Sequence, residues 1–202
     1  APQPSSAQPA ASAPAAGEWR TFVTEAYPGK RDSISFVDET HGWYGTGAGD
    51  LFATKDGGTT WQKVASRPGT FVRAVGFLDR KNGFIGNIGT DYYPGVIDET
   101  PLYRTRDGGV TWEAVDTGEA TIKGICAIDI LRTQRIYQGK LVPRTVIHAA
   151  GRVGGPTGIL RSVDGGETWS VIDMTPHAGM ILDIKFFDEM TGLVFAATHP
   201  DP

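Results

Sequence analysis

The sequence predicts an all-β protein, a β-propeller built from four-stranded blades. Three observations carry the prediction. The first is a phrase that occurs three times: Thr54-Lys55-Asp56-Gly57-Gly58-Thr59-Thr60-Trp61, Thr105-Arg106-Asp107-Gly108-Gly109-Val110-Thr111-Trp112 and Ser162-Val163-Asp164-Gly165-Gly166-Glu167-Thr168-Trp169. Each copy reads Ser/Thr-x-Asp-Gly-Gly-x-Thr-Trp, and a fixed phrase recurring along a chain marks a repeat architecture. The second is the spacing. Asp56, Asp107 and Asp164 stand 51 and 57 positions apart (107 − 56 and 164 − 107), which is long for a paired-helix repeat and suits about four short strands per unit. The third is an independent turn signal: Phe36-x-Asp38-x-x-x-Gly42 matches Phe77-x-Asp79-x-x-x-Gly83 and Phe186-x-Asp188-x-x-x-Gly192.

The strands follow in order. Residues 18–23, with Trp19, alternate like the strands that follow each phrase, and are read as a closing outer strand given to a blade built by the other end of the chain. Blade one covers about 33–64, blade two about 71–115 and blade three about 122–172, and 180–202 begin a fourth. Blade three lacks the Phe-x-Asp turn, so Leu131 to Arg144 is an insertion, as is Gly89 to Thr100. Three and a half blades fall short of a ring of about four or more, so the expectation is the N-terminal portion of a larger propeller.

Composition narrows the function classes. The formal charge of the 202 residues is −4, with no basic stripe of the kind that binds nucleic acid. No apolar run approaches the roughly 18–20 residues of a membrane-spanning helix. Cys126 is the only cysteine and lies in an apolar stretch, which reads as a small buried side chain. Residues 1–17 are nearly all Ala, Pro, Ser, Gln and Gly and read as a flexible tether. Such tethers commonly follow a removed export signal, so the expected location is periplasmic or extracellular, with the linker as a possible membrane tether. His41, His148, His177 and His199 show no metal-ligand spacing. No metal and no cofactor are expected.

The repeated phrase has a physical reading of its own. Asp-Gly-Gly between two strands is a hairpin turn, where glycine takes positive φ without steric cost. The Asp carboxylate accepts hydrogen bonds from its own turn, and the Trp covers apolar area. A carboxylate held by several donors has a depressed pKa and is a poor general base. Asp56, Gly58, Trp61, Asp107, Gly109, Trp112, Asp164, Gly166 and Trp169 are therefore expected to be structural.

These motifs resemble the Asp-box, or BNR repeat, of sialidases, sortilin-type receptors, xyloglucan-degrading glycosidases and photosystem II assembly factors. Ile34-Ser35-Phe36-Val37-Asp38 with His41-Gly42-Trp43-Tyr44-Gly45, ahead of an Asp-box, is most similar to the photosystem II stability/assembly factor group and its bacterial relatives. That resemblance implies a seven-bladed propeller that holds partner proteins and has no established catalysis.

Alternating strand direction puts the Asp-boxes and Phe-x-Asp turns on one face, and function is sought on the loops of the other. Its richest loop, Gly89 to Thr100, supplies Asp91, Tyr92, Tyr93 and Glu99. Arg152 in a Gly-rich loop and His177 complete the candidate binding face, for a protein partner or a glycan. Asp129 and Asp183 are read as solvated residues of the central channel. Two classes stand. One is an exported, non-catalytic binding scaffold. The alternative is a glycoside hydrolase of the sialidase or xyloglucanase type, with Arg31, Arg73 and Arg152 as its weak carboxylate clamp and a carboxylate pair about 6.5–9.5 Å apart in an inverting mechanism.

Overall fold

Fourteen strands and no helix make up the computed structural model, which describes residues 19, 21, 26–90, 92–118, 122–151 and 156–197. The expected tether and most of the closing strand lie outside the described residues. Trp19 itself is fully exposed and belongs to no strand. Blade one is β1 (Ile34–Phe36), β2 (Gly42–Gly45), β3 (Asp50–Thr54) and β4 (Gln62–Ser66). Blade two is β5 (Val72–Phe77), β6 (Gly83–Asn87), β7 (Leu102–Thr105) and β8 (Glu113–Ala114). Blade three is β9 (Ala127–Tyr137), β10 (Lys140–Gly151), β11 (Gly158–Ser162) and β12 (Ser170–Asp173). β13 (Met180–Phe186) and β14 (Gly192–Ala197) pair as a fourth, two-stranded sheet. Within each blade sequential strands are antiparallel neighbours, the simplest result of short hairpin connections. This is the β-propeller the repeat predicts. No helix is long and apolar enough to cross a membrane among the described residues.

Both turn families lie at one end, as strand alternation requires. The backbone N–H of Gly57 donates to Thr40 O and that of Gly108 to Lys81 O, each at 2.9 Å, tying each Asp-Gly-Gly turn to the Phe-x-Asp turn of its own blade. The blade-three insertion at this end is a continuous extension of β9 and β10. It turns at Gln138 (φ 47°) and Gly139 (φ 75°), and Ile136, Tyr137 and Leu141 at its tip are exposed.

The core lies between blades. Trp43 and Leu51 of blade one meet Val75, Phe77, Ile85 and Tyr103 of blade two. Phe84 and Leu102 meet Ile125, Ile147 and Leu160 of blade three. Ala127, Ala150 and Ile159 meet Ile181 and Ile184. Inner strands are also stitched by backbone donors: Val75 N–H to Ser33 Oγ at 2.9 Å, Phe77 N–H to Ser35 Oγ at 3.1 Å and Phe186 N–H to Asp129 Oδ2 at 2.8 Å.

The second glycine of each turn has positive φ, and in the second and third turns it also makes a close approach. Gly58, Gly109 and Gly166 have φ of 90°, 95° and 89°. A Cβ on Gly109 would sit 2.7 Å from Leu51 Cδ2, and one on Gly166 would run into the Phe84 ring of the preceding blade. The first glycine of the third turn, Gly165, also has positive φ (79°) but faces open space. Gly166→Ala adds overpacking of about 1–3 kcal/mol to the positive-φ cost that Gly165→Ala alone incurs. Urea denaturation should therefore show the larger loss of midpoint for Gly166→Ala.

Candidate binding face

At the Asp-Gly-Gly end each carboxylate is enclosed by its own turn. Asp107 accepts from Thr105 Oγ1 (2.8 Å), Val110 N–H (3.0 Å), Thr111 N–H (2.9 Å) and Thr111 Oγ1 (2.5 Å). Asp56 and Asp164 repeat the pattern with Thr60 and Thr168. The Thr111 hydroxyl, with its amide, brings Asp107 down to about 2, and Thr168 does the same for Asp164. The Thr60 hydroxyl lowers Asp56. The Trp rings fold back on the turns: Trp112 Nε1 donates to Gly109 O at 2.9 Å and Trp169 Nε1 to Gly166 O at 3.2 Å. Trp61 packs edge-on against Phe36 and Tyr44. With Ile34 and Gly58, these rings line an open concavity of about 550 Å³ on the side of blade one away from blade two.

On the other end the loop between β6 and β7 forms a braced lip. Its anchor is Asp98, which the sequence reading left out of the candidate set. Asp98 accepts from Thr70 Oγ1 (2.5 Å), Thr100 N–H (2.9 Å) and the Tyr103 hydroxyl (2.8 Å). Burial pushes this carboxyl up, but the Thr70 hydroxyl, the Thr100 amide, Tyr103 and the Arg67 charge outweigh it and hold it low. Arg67 stacks 3.9 Å over the Tyr103 ring with Nη2 4.0 Å from Asp98. The backbone N–H groups of Ile97 and Asp98 both donate to Gly69 O, and buried Asn87 Nδ2 donates to Asp98 O and Thr100 O. The loop is thereby fastened to the blade-one-to-two connection.

The structure brings together only part of the sequence-derived set. Tyr92, Tyr93 and Glu99 share this lip and are exposed. Tyr93 also packs edge-on against buried Phe71 at 4.9 Å. His177 is exposed in the turn after β12, on the same end but in a separate connection. Asp91 and Arg152 lie outside the described residues. Asp129 corrects the channel reading. It is 7 % exposed and accepts from Lys185 Nζ at 2.6 Å as well as from the Phe186 amide, because β13 packs directly over it. Arg73 is committed to Asp32 (3.5 Å) and to Cys126 O (3.2 Å). Among the described residues no group of three or more His, Cys, Asp or Glu is placed to hold a metal ion.

One buried titratable group stands apart. His148 has no exposed surface and stacks on Phe186 at 3.6 Å and 9°. Burial, then the Arg161 charge, lowers it from 6.5 to about 4 against the opposing pull of Asp129 and Glu189.

No family model matches the chain. It is 35% identical over 104 residues to the xyloglucanase Xgh74A of Acetivibrio thermocellus, a match that covers 43% of this chain and 12% of that protein. The chain therefore spans a small part of the length of this curated relative. Among solved structures, one described as YCF48 bound to D1 peptide aligns with TM-score 0.46 and 21% identity over 71% of this chain and 42% of the other. The computationally designed Ika4 protein aligns with TM-score 0.51 and 11% identity over 87% of this chain and 96% of its own. At such identities the likeness is one of fold.

Two outcomes follow from the geometry. Asp107→Ala removes the acceptor for four donors and should cost about 1–3 kcal/mol, a fall in Tm of very roughly 2–4 °C per kcal/mol for a chain of this size. Differential scanning calorimetry reads it directly. For His148 the folded pKa lies below the unfolded one, so the unfolded state binds the proton first. Stability is full above about 6.5 and declines as pH falls toward about 4, by about 3 kcal/mol in all. Urea titrations at several pH values should show this slope, and His148→Phe should remove it.

Proposed function

We propose that the chain is an exported, non-catalytic propeller of the Asp-box type, seven-bladed when complete. In this reading it holds a protein partner on the face opposite the Asp-Gly-Gly turns, as photosystem II assembly factors do. The observation that carries it is the lip braced by Asp98 at that end, an ordered loop that presents the exposed Tyr92 and Tyr93. Asp38, Asp56, Asp79, Asp98, Asp107, Asp164, Glu167, Asp173 and Asp188 all have lowered pKa values. A glycosidase needs one carboxyl raised so that it keeps a proton to donate. Here hydrogen-bond donors hold each shifted carboxyl in its charged form, which suits turn bracing. Asp56, Asp107 and Asp164 with their glycines and tryptophans are thus turn staples. The braced lip supplies what a binding face needs: Tyr92 and Tyr93 give amphipathic contact area at low entropic cost on a loop already ordered by Asp98.

A second reading is favoured by one observation, the 35% identity over 104 residues to a xyloglucanase. It makes the same face a glycan-binding cleft of a glycoside hydrolase. The sialidase variant of that reading is weaker, since Arg73, one of its three arginines, is already engaged by Asp32 and Cys126 O.

One pair of assays separates the readings. The chain should release no product from a xyloglucan oligosaccharide or a fluorogenic sialoside, and should capture a specific protein from a membrane extract. Tyr92→Ala, at an exposed position, should abolish that capture without moving Tm. Turnover that disappears in Glu99→Gln would replace the binding scaffold with the hydrolase.

A further inference from the structure

The blade-three hairpin outgrows its counterparts. In blades one and two the inner pairing ends at Phe36 opposite Gly42 and Phe77 opposite Gly83, and those glycines pair with Thr54 and Thr105, the first residues of the repeated phrase. Ile147 pairs with Ser162 in the same way, so Ile130 opposite Ile147 is the equivalent pair. The ladder then runs on through seven more pairs, from Leu131 opposite Val146 to Tyr137 opposite Lys140. At about 3.4 Å per residue the tip stands roughly 20 Å beyond the equivalent pair. The blade itself does not call for this length, since short turns close the same two strands in blades one and two.

Strand alternation sorts the side chains of the extension. Ile136 and Leu141, directly opposite each other, share one face with Pro143, and Arg135, Tyr137 and Lys140 share the other. Ile136, Tyr137 and Leu141 are 76 %, 54 % and 66 % exposed, and Arg135 and Lys140 are exposed beside them. Arg135 lies over the Tyr137 ring at 5.3 Å. No Asp or Glu occurs from 130 to 150, in a chain whose formal charge is −4. The cations at the base are committed: Arg132 donates to Leu78 O at 2.7 Å and Arg144 pairs with Glu189 at 2.9 Å. Carboxylates do gather in the turns beside that base, Asp79 and Asp188 among them. The tip stands about two screening lengths away from them at physiological salt, so Arg135 and Lys140 set the local potential. Pro143 removes a backbone donor from β10, and arginines flank it on both strands, features that discourage a further strand from pairing with the extension. What the extension offers a partner is therefore its side chains.

We propose that the tip of this hairpin docks on the surface of an anionic lipid bilayer. Ile136, Tyr137 and Leu141 enter the interfacial layer, where the polar turn at Gln138 and Gly139 stays hydrated. The Tyr137 ring lies at headgroup level, the place that suits an amphipathic aromatic ring. Arg135 and Lys140 lay their stems along the apolar contact and carry their charges to the lipid phosphates. Charge complementarity specifies the occupant, because the tip is cationic on an otherwise acidic chain. The tip is also a convex knob, with an apolar pair flanked by long flexible cations. That form suits a fluid surface of repeated phosphates better than a single fixed pocket. The site stands at the end opposite the lip braced by Asp98 and does not depend on what that lip binds.

Vesicle co-sedimentation of the full chain tests this. One set of vesicles is phosphatidylcholine alone, and the other contains about one quarter phosphatidylglycerol, both in about 0.1 M salt. Half of the chain should sediment with the anionic vesicles at about 1 mM accessible lipid, a weaker attachment than a single myristoyl chain gives. Binding to phosphatidylcholine alone, or to anionic vesicles in about 0.5 M salt, should be at least about tenfold weaker. Two double variants at exposed positions separate the contributions. Ile136→Ser with Leu141→Ser removes the apolar pair, and Arg135→Gln with Lys140→Gln removes the charge. Each should leave Tm unchanged and weaken binding about tenfold or more. The proposal is overturned by the absence of sedimentation up to about 10 mM lipid, by equal binding to neutral and anionic vesicles, or by either double variant binding as the unaltered chain does. It is equally overturned if a soluble oligoglutamate peptide binds through Arg135 and Lys140 while the vesicles stay unbound, which would make an acidic protein the occupant.

Discussion

Close approach of a glycine-only turn to the blade before it is the constraint on which this structure depends. Gly109 and Gly166 combine a left-handed backbone with contact against Leu51 and Phe84, so no side chain fits at either point. The approach lets a buried donor, Trp43 or Arg104, reach a backbone carbonyl across the gap. It also seals the apolar seams beneath, where Trp43, Leu51, Phe77 and Ile85 meet at one and Phe84, Leu102, Ile147 and Leu160 at the other. The carboxylate of each turn works on the same feature from inside, since its several donors hold the chain in the conformation that makes the approach possible. A blade is therefore stable chiefly as a neighbour. This is the behaviour expected of a repeat whose units cannot bury their faces alone.

The two ends of the blades use carboxylates in related ways and to different effect. At the Asp-Gly-Gly end Asp56, Asp107 and Asp164 each accept from within a single turn. At the other end Asp98 gathers groups from three separate segments: Thr70 from the connection between blades, Tyr103 from β7 and Thr100 from its own loop. An insertion that would otherwise be costly to order is thus held by one charge, and its Tyr92 and Tyr93 are presented on a stiff support. Preorganisation of that kind removes an entropic cost from binding.

Blade three shows how a repeat can keep its geometry while changing its chemistry. Trp43, Phe84 and His148 occupy one structural position and face one direction, and each is stacked or packed against the following unit. A tryptophan there brings its donor at the ring edge. A phenylalanine passes the task to Arg104 on the neighbouring strand. Histidine brings a polar ring into a fully buried place, where desolvation depresses its pKa.

Much of the fold was legible before any coordinates. Two turn motifs at fixed spacing mark the hairpins, and the alternation of strand direction follows from them, because both motifs depend on local backbone conformation that Gly, Asp and Thr encode within a few residues. The candidate site was legible only in outline. Asp91, Asp98 and Glu99 look alike in the sequence. The choice of Asp98 as the brace rests on Gly69 and Thr70, some thirty residues earlier and brought alongside by the blade-to-blade contact. Asp129 read as a channel residue because its strand position is an inner one, yet β13 buries it and gives it Lys185. The sequence by itself determined where the chain turns and which residues can turn there, since those are short-range steric facts. Which polar groups meet, which carboxylate becomes a structural anchor and which histidine loses water were decided by the packing of one blade on another, a long-range condition that no local pattern records.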